Sequence, residues 1–177
     1  MNSRARKEMF NLNRPTVDEL IKCPKTIIKA DRRSMVEKNR SYRNNIRLES
    51  EDGKYNFIMF MRQSSEFLED FSVGLIWTNA NEYWNTKKQL ILIRCQGPHD
   101  SKQDFESDPH HSYHIHQLSS NDIEQKRFNK PSNCGITDSF SSFDEAIIYF
   151  CNRCDIIGLS DYIDLNNDQI EGQCSLF

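Results

Sequence analysis

The sequence predicts an α+β fold: a mostly antiparallel sheet of about five strands with a C-terminal helix packed on one face. Three observations carry this expectation. Short β-rich runs recur from Asn45 onward, with a hairpin turn signal at Asp52-Gly53 between the first two. One strongly helical run follows them, from Ser139 to Ile157. The chain also holds 11 Phe, 6 Tyr and 2 Trp, enough to build a small aromatic core although mean hydropathy is only −0.75.

Taken in order, Thr16 or Asp18 opens a short helix through Val17, Leu20 and Ile21, and Pro24 stops it. Strands are expected at Asn45–Glu49 and Tyr55–Arg62. In the second, Phe57, Met59 and Met61 alternate with Ile58 and Phe60. Phe71–Thr78 and Gln89–Gln96 give two more strands across a polar, Asn-rich connection, and Ser112–Leu118 a fifth. In the helical run Ser141 or Ser142 serves as N-cap and Asp144 and Glu145 occupy the first turn. Phe143, Ile147, Phe150, Cys151 and Cys154 repeat at three and four.

A length of 177 residues suggests one globular domain, or one domain with flexible ends. Residues 1–50 carry 13 Lys/Arg against 6 Asp/Glu, and residues 51–177 carry 10 against 20. This asymmetry divides the chain into a basic N-terminal arm with a short helix (1–40), an α+β domain (41–157) and an acidic C-terminal tail (158–177). Arg32, Arg33, Lys38, Arg40, Arg43 and Arg47 are the candidate nucleic-acid contacts, because clustered cations neutralise phosphates. The same run also reads as a solvated basic face, or as one that docks on an acidic partner or on this chain's own acidic half. No run of about 18 apolar residues and no signal-peptide core is present, so a cytoplasmic protein with no membrane partner is expected. In that setting the six cysteines, Cys23, Cys95, Cys134, Cys151, Cys154 and Cys174, are expected to be thiols. Cys151 and Cys154 form a lone C-x-x-C inside the helix, read as packing rather than as zinc or redox chemistry. No P-loop, dinucleotide-binding glycine motif or G-x-S-x-G is found.

The chemistry concentrates elsewhere. All five histidines, His99, His110, His111, His114 and His116, fall between positions 99 and 116. In a strand His114 and His116 point to one face, about 6.5–7 Å apart. If the Gln89–Gln96 strand pairs with theirs, Arg94 reaches that face as a planar fork for phosphate, and His99 sits at the mouth of the connecting loop. Three readings follow. In the first, His114 and His116 act as acid and base on RNA with Arg94 neutralising the phosphate and His99 nearby, needing no cofactor. In the second, His99, His114 and His116, with Asp100 or Asp108, bind zinc or another transition metal. In the third the histidines hydrogen-bond the loop without turnover. His110 and His111 read as exposed or as supporting positions.

The order Arg94, Gly97-Pro98-His99, Pro109-His110-His111, His114-x-His116, then the late helix ending Phe150-Cys151-Asn152-Arg153-Cys154, resembles small prokaryotic His-x-His proteins grouped near the TumE-like toxins. The chain departs from that pattern at Cys95-Gln96, where an acid is expected. The resemblance implies an RNA-directed toxin or a component of a phage-defence locus, neutralised by a partner such as a cognate antitoxin. Joined to the first reading of the histidines, it makes a metal-independent endoribonuclease of toxin type the expected function. The non-enzymatic alternative is a binding or adaptor subunit of a defence assembly. A transition-metal hydrolase is the third.

Overall fold

Alternating side chains from Ser41 onward generate the sheet that organises this protein. The computed structural model describes residues 14–84, 89–99, 108–128 and 133–164. Helix α1 (Val17–Lys22) begins at Thr16, whose hydroxyl accepts the Glu19 amide while the Glu19 carboxylate accepts the Thr16 amide, closing a capping box. Strands β1 (Lys25–Ala30), β2 (Val36–Glu37), β3 (Ser41–Ser50), β4 (Asn56–Ser64), β5 (Phe71–Trp77), β6 (Leu90–Gln96), β7 (His114–Gln117) and β8 (Asn133–Ile136) make one antiparallel sheet. Its order is β1-β3-β4-β5-β6-β7-β8, with β2 also on β3. Helix α2 (Ser120–Glu124) follows β7, and α3 (Phe143–Arg153) follows β8.

The expected fold class holds, with eight strands among the described residues rather than about five. The five expected strands are β3 to β7. The additional ones lie at or near the margins, where few side chains are buried and little periodicity is left to read. In β1 only Ile27 joins the apolar core, and a bulge at Ile28 breaks the alternation. The β2–β3 turn uses Asn39 and Arg40, at φ 52° and 57°, for the left-handed pair that a two-residue hairpin needs. Strands β1 and β2 therefore join the sheet from within the segment 1–40 that the charge asymmetry set apart as a basic arm.

The two faces of the sheet differ. Ile46, Leu48, Phe57, Met59, Met61, Val73, Leu75, Trp77, Ile93 and Cys95 face the core, closed by Leu20 and Ile21 of α1 and by Ala146, Ile147 and Phe150 of α3. Ser142 caps α3, which ends at Arg153, shorter than the predicted run. Beyond it Asp155 and Gly158 take positive φ, and Leu159 and Ile163 return to the core. The start of the acidic segment is thus packed, and the Asp164 amide donates to the Arg33 carbonyl at 2.7 Å. Residues 165–177 lie outside the described set.

Lys25 ties these ends together. It is 5% exposed, and its ammonium donates to the carbonyls of Ile21, Cys23 and Cys154 at 2.7–2.8 Å. In the C-x-x-C, Cys154 is fully buried, which pushes its thiol up to about 12, while Cys151 is half-buried. A thiol so raised is a packing group at neutral pH. No described helix is long and apolar enough to cross a membrane.

Candidate metal centre

The pairing of β6 with β7 builds the site. Arg94 lies opposite His116 and Gln96 opposite His114, so all four side chains stand on the face turned away from the core. The chain then leaves β6 through Gly97, whose amide donates to the Phe71 carbonyl at 3.2 Å. A Cβ at position 97 would sit 1.8 Å from the Glu69 carbonyl oxygen, so only glycine lets the chain pass there. Pro98 follows, and the His99 amide donates to the His110 carbonyl at 2.9 Å. This bond fixes the two ends of the loop against each other.

On the far side, Asp108 caps a single 3₁₀ turn, Pro109–His111. Its carboxylate accepts the His110 amide at 3.0 Å and contacts His110 Nδ1 at 2.5 Å, orienting backbone and ring together. The next ring is set in a similar way: His114 Nδ1 lies 2.8 Å from the Ser112 carbonyl. A carbonyl can only accept, so Nδ1 carries the proton and Nε2 presents a lone pair. That Nε2 is buried without a partner.

These constraints bring three imidazoles together. His99, His110 and His114 offer ligand atoms all within 4.8 Å of one another, and their ring centroids are 5.0–5.2 Å apart. Three nitrogens around one tetrahedral zinc at about 2.05 Å sit roughly 3.3 Å apart, a gap that small ring rotations close. The residues fit a zinc ion in another respect too. A metal-bound histidine characteristically gives its other nitrogen to a carboxylate or a carbonyl, as His110 and His114 do here.

The structure therefore joins His99 and His114 of the expected metal trio and supplies His110 in place of His116. His116 packs edge-on beside them, its ring 5.0 Å from that of His114, but its Nε2 lies 3.7 Å from Cys134 Sγ and its Nδ1 is buried without a partner. Desolvation is the main cause that draws His114 down to about 4 and His116 to about 3, aided by the surrounding cations and rings. Both rings are neutral at pH 7, the form a metal binds. Asp108 supports His110 from behind, and Asp100 lies outside the described residues. His111, on the same turn as His110, is exposed.

Arg94 is half-buried with its Nε unpartnered, and burial lowers its pKa from the ordinary value. Of the candidate nucleic-acid contacts, Arg43 and Arg47 share the outer face with Arg94, by the pairings that run from β3 to β6. Arg33 and Arg40 instead pair with Asp164 at 3.8 Å and Glu66 at 3.4 Å. Arg32 accepts a bond from Asn44 Nδ2 at its carbonyl, and Lys38 is exposed at the β2–β3 turn.

Sequence reasoning placed His110 outside the metal set. The signal for it was Asp108-Pro109-His110, an acid that both starts a turn and reaches the ring two residues on. Gly97 matters for the same geometry. Gly97→Ala should lower stability by about 1–3 kcal/mol, because a backbone carbonyl has to move, and should weaken zinc uptake through His99. A thermal melt beside Gly135→Ala, where a Cβ meets open space, checks this.

Fold and site together define an α+β protein whose antiparallel sheet carries a partly buried histidine centre towards one end of its outer face. Compared with known proteins, the chain matches no family model, no curated protein and no solved structure.

Proposed function

We propose that this chain is a metal-dependent hydrolase of phosphate esters, with a divalent transition ion, zinc above all, held by His99, His110 and His114. The observation that carries this reading is the convergence of three imidazoles on one metal-sized space, with Nδ1 of two of them already engaged. A zinc ion with three protein nitrogens keeps a fourth position for water and brings that water's pKa near neutrality. The chain's own groups do the rest. Asp108 and the Ser112 carbonyl hold the far nitrogens of two of the rings, so the movement that draws the ligand atoms together is confined to small rotations about those bonds. Arg94, opposite His116 and without an anionic partner among the described residues, supplies the fork that recognises a phosphate oxygen.

The metal-free alternative makes His114 and His116 an acid–base pair, which needs one of them to hold a proton near neutral pH. Burial favours the neutral form of both. The test is metal content and turnover in one preparation. Purified protein stripped with EDTA is dialysed against zinc, bound ion is counted by mass spectrometry, and hydrolysis of bis(p-nitrophenyl) phosphate is followed. One ion per chain with turnover that depends on it is the expected result. Folded protein that takes up no ion would sink the metal reading. Uptake without hydrolysis of any phosphate ester would leave a metal-binding protein and overturn the hydrolase.

A further inference from the structure

The outer face of the sheet carries more than the histidine end, and its order is fixed by strand register. Residues directly opposite in antiparallel strands share a face. One row across the sheet reads Arg43, Arg62, Ser72, Gln96, His114. The next reads Asn45, Phe60, Gly74, Arg94, His116, and a third Lys29, Arg47, Ile58, Ile76, Ile91. With strands about 4.8 Å apart, the first row runs roughly 19 Å from Arg43 to the metal centre.

We infer that this face is a docking track for a single-stranded nucleic acid, which it leads by its phosphates and bases to the histidine centre. The inference names the substrate class of the proposed hydrolase and rests on that reading for cleavage, though not for binding. Charge is the first argument. Every charged side chain in the three rows is a cation, in a protein whose net charge is −3. Two carboxylates contact their side chains, Asp70 at 3.4 Å from Arg62 and Asp31 accepting from Asn45 at 3.3 Å, and Glu49 stands on the same face one row beyond Arg47. Arg43, Arg47 and Arg94 keep their guanidinium groups without an anion among the described residues.

Stacking is the second argument. Phe60 leans over β5 into the space that a side chain at position 74 would fill, since a Cβ there would meet two of its ring carbons at 2.4 Å. Gly74 thus lets an aromatic ring lie along the face, next to Arg94. Phe60, Ile58, Ile76 and Ile91 are all outside the apolar core cluster, and Ile91 is 41% exposed. Arg43, Asn45 and Arg47 are exposed and Phe60, Arg62 and Arg94 half-buried, while Ser72, Gln96, His114 and His116 are buried where the face meets the histidine centre. Arginines interleaved with an aromatic ring on the accessible part of this face suit unpaired bases, which can turn their faces to the protein. A duplex keeps its bases stacked inside.

Fluorescence anisotropy with the full chain in EDTA tests binding apart from metal. The probes are fluorescein-labelled oligo(U) and oligo(dT) twelve-mers, the matching duplex, and a labelled twelve-residue polyglutamate. Single strands should bind at least tenfold more tightly than the duplex or polyglutamate, and the two single strands distinguish RNA from DNA as the source. The double variant R43E/R47E should lose at least tenfold and flatten the log–log salt slope by about 1.4, about 0.7 for each phosphate contact removed. Phe60→Ala should lose about tenfold with the slope unchanged, since stacking releases no counterions. Melting curves confirm that each variant folds. Polyglutamate bound as well as the strands would make the face a protein-docking surface. Equal binding by wild type and both variants, or a preference for duplex, would overturn the track. Strand binding in a protein that takes up no zinc keeps the track and removes the hydrolase. Zinc-dependent turnover without strand binding does the reverse.

Discussion

Replacing His110 by alanine is expected to lower zinc affinity by at least about a hundredfold, while His111→Ala, one residue further along the same turn, changes it by less than about threefold. The asymmetry follows from the turn. Asp108 holds the amide and the Nδ1 of His110, which faces the rings of His99 and His114 at 5.0 Å, whereas His111 is exposed. Removing one of three protein ligands takes away a full metal–nitrogen bond. Removing only the group that orients a ligand characteristically costs ten- to a hundredfold, so Asp108→Asn should fall between the two histidine variants. Competition with a chromophoric zinc chelator measures all three, and the d–d bands of the cobalt-substituted protein report whether the ion keeps a tetrahedral nitrogen set. Equal losses for His110 and His111, or none for either, would refute the assignment. None of these side chains belongs to the apolar core, so melting temperatures in EDTA should stay close to that of the wild type.

The same turn shows where the chain was legible as a sequence and where it was not. Alternation of Phe57, Met59 and Met61 is enough to place β4, because one face of that strand is wholly buried and the other is not. The capping serine of α3 is likewise local chemistry, written in Ser142 and the two acids that follow it. Strand β8, Asn133–Ile136, has no such signature, since it is held through backbone pairing to β7 with most of its side chains exposed. Helix α2 is a single turn and a half whose capping box uses Asp122 instead of a glutamate. For the site, strand periodicity put His114 and His116 on one face, and the register of Arg94 against His116 followed once β6 and β7 were paired. The choice between His110 and His111 depends on the phase of a three-residue turn. That phase is set by where the chain re-enters the fold, through the His99 amide bond to the His110 carbonyl and the packing of Gly97 against Glu69. Those are long-range contacts, which local spacing does not encode.

Acid should unfold the metal-free protein with a steep dependence that belongs to the two strand histidines. His114 is fully buried and His116 is 8% exposed, and His99, His110 and Arg94 surround them with rings and positive charge. In the unfolded chain each ring takes a proton near the ordinary value of 6.5, while in the folded chain they do so at about 4 and about 3. Between these limits the unfolded state binds more protons, so stability is complete above pH 6.5 and is lost progressively as pH falls through that window. At about 1.4 kcal/mol per pKa unit, each ring costs on the order of 2–3 kcal/mol between pH 6.5 and about 4.5. Urea midpoints in EDTA across that range measure the loss. His116→Gln, which keeps a neutral polar group of similar size, should remove about half of the pH dependence and lose far less stability at pH 4.5 than at pH 7, relative to wild type. Saturating zinc should push the wild-type loss to lower pH, because an ion on His114 competes with the proton there. A midpoint that is flat from pH 6.5 to about 4.5, or a His116→Gln profile parallel to the wild type, would show that these rings are solvated and protonate freely in the folded protein, contrary to the buried centre described above.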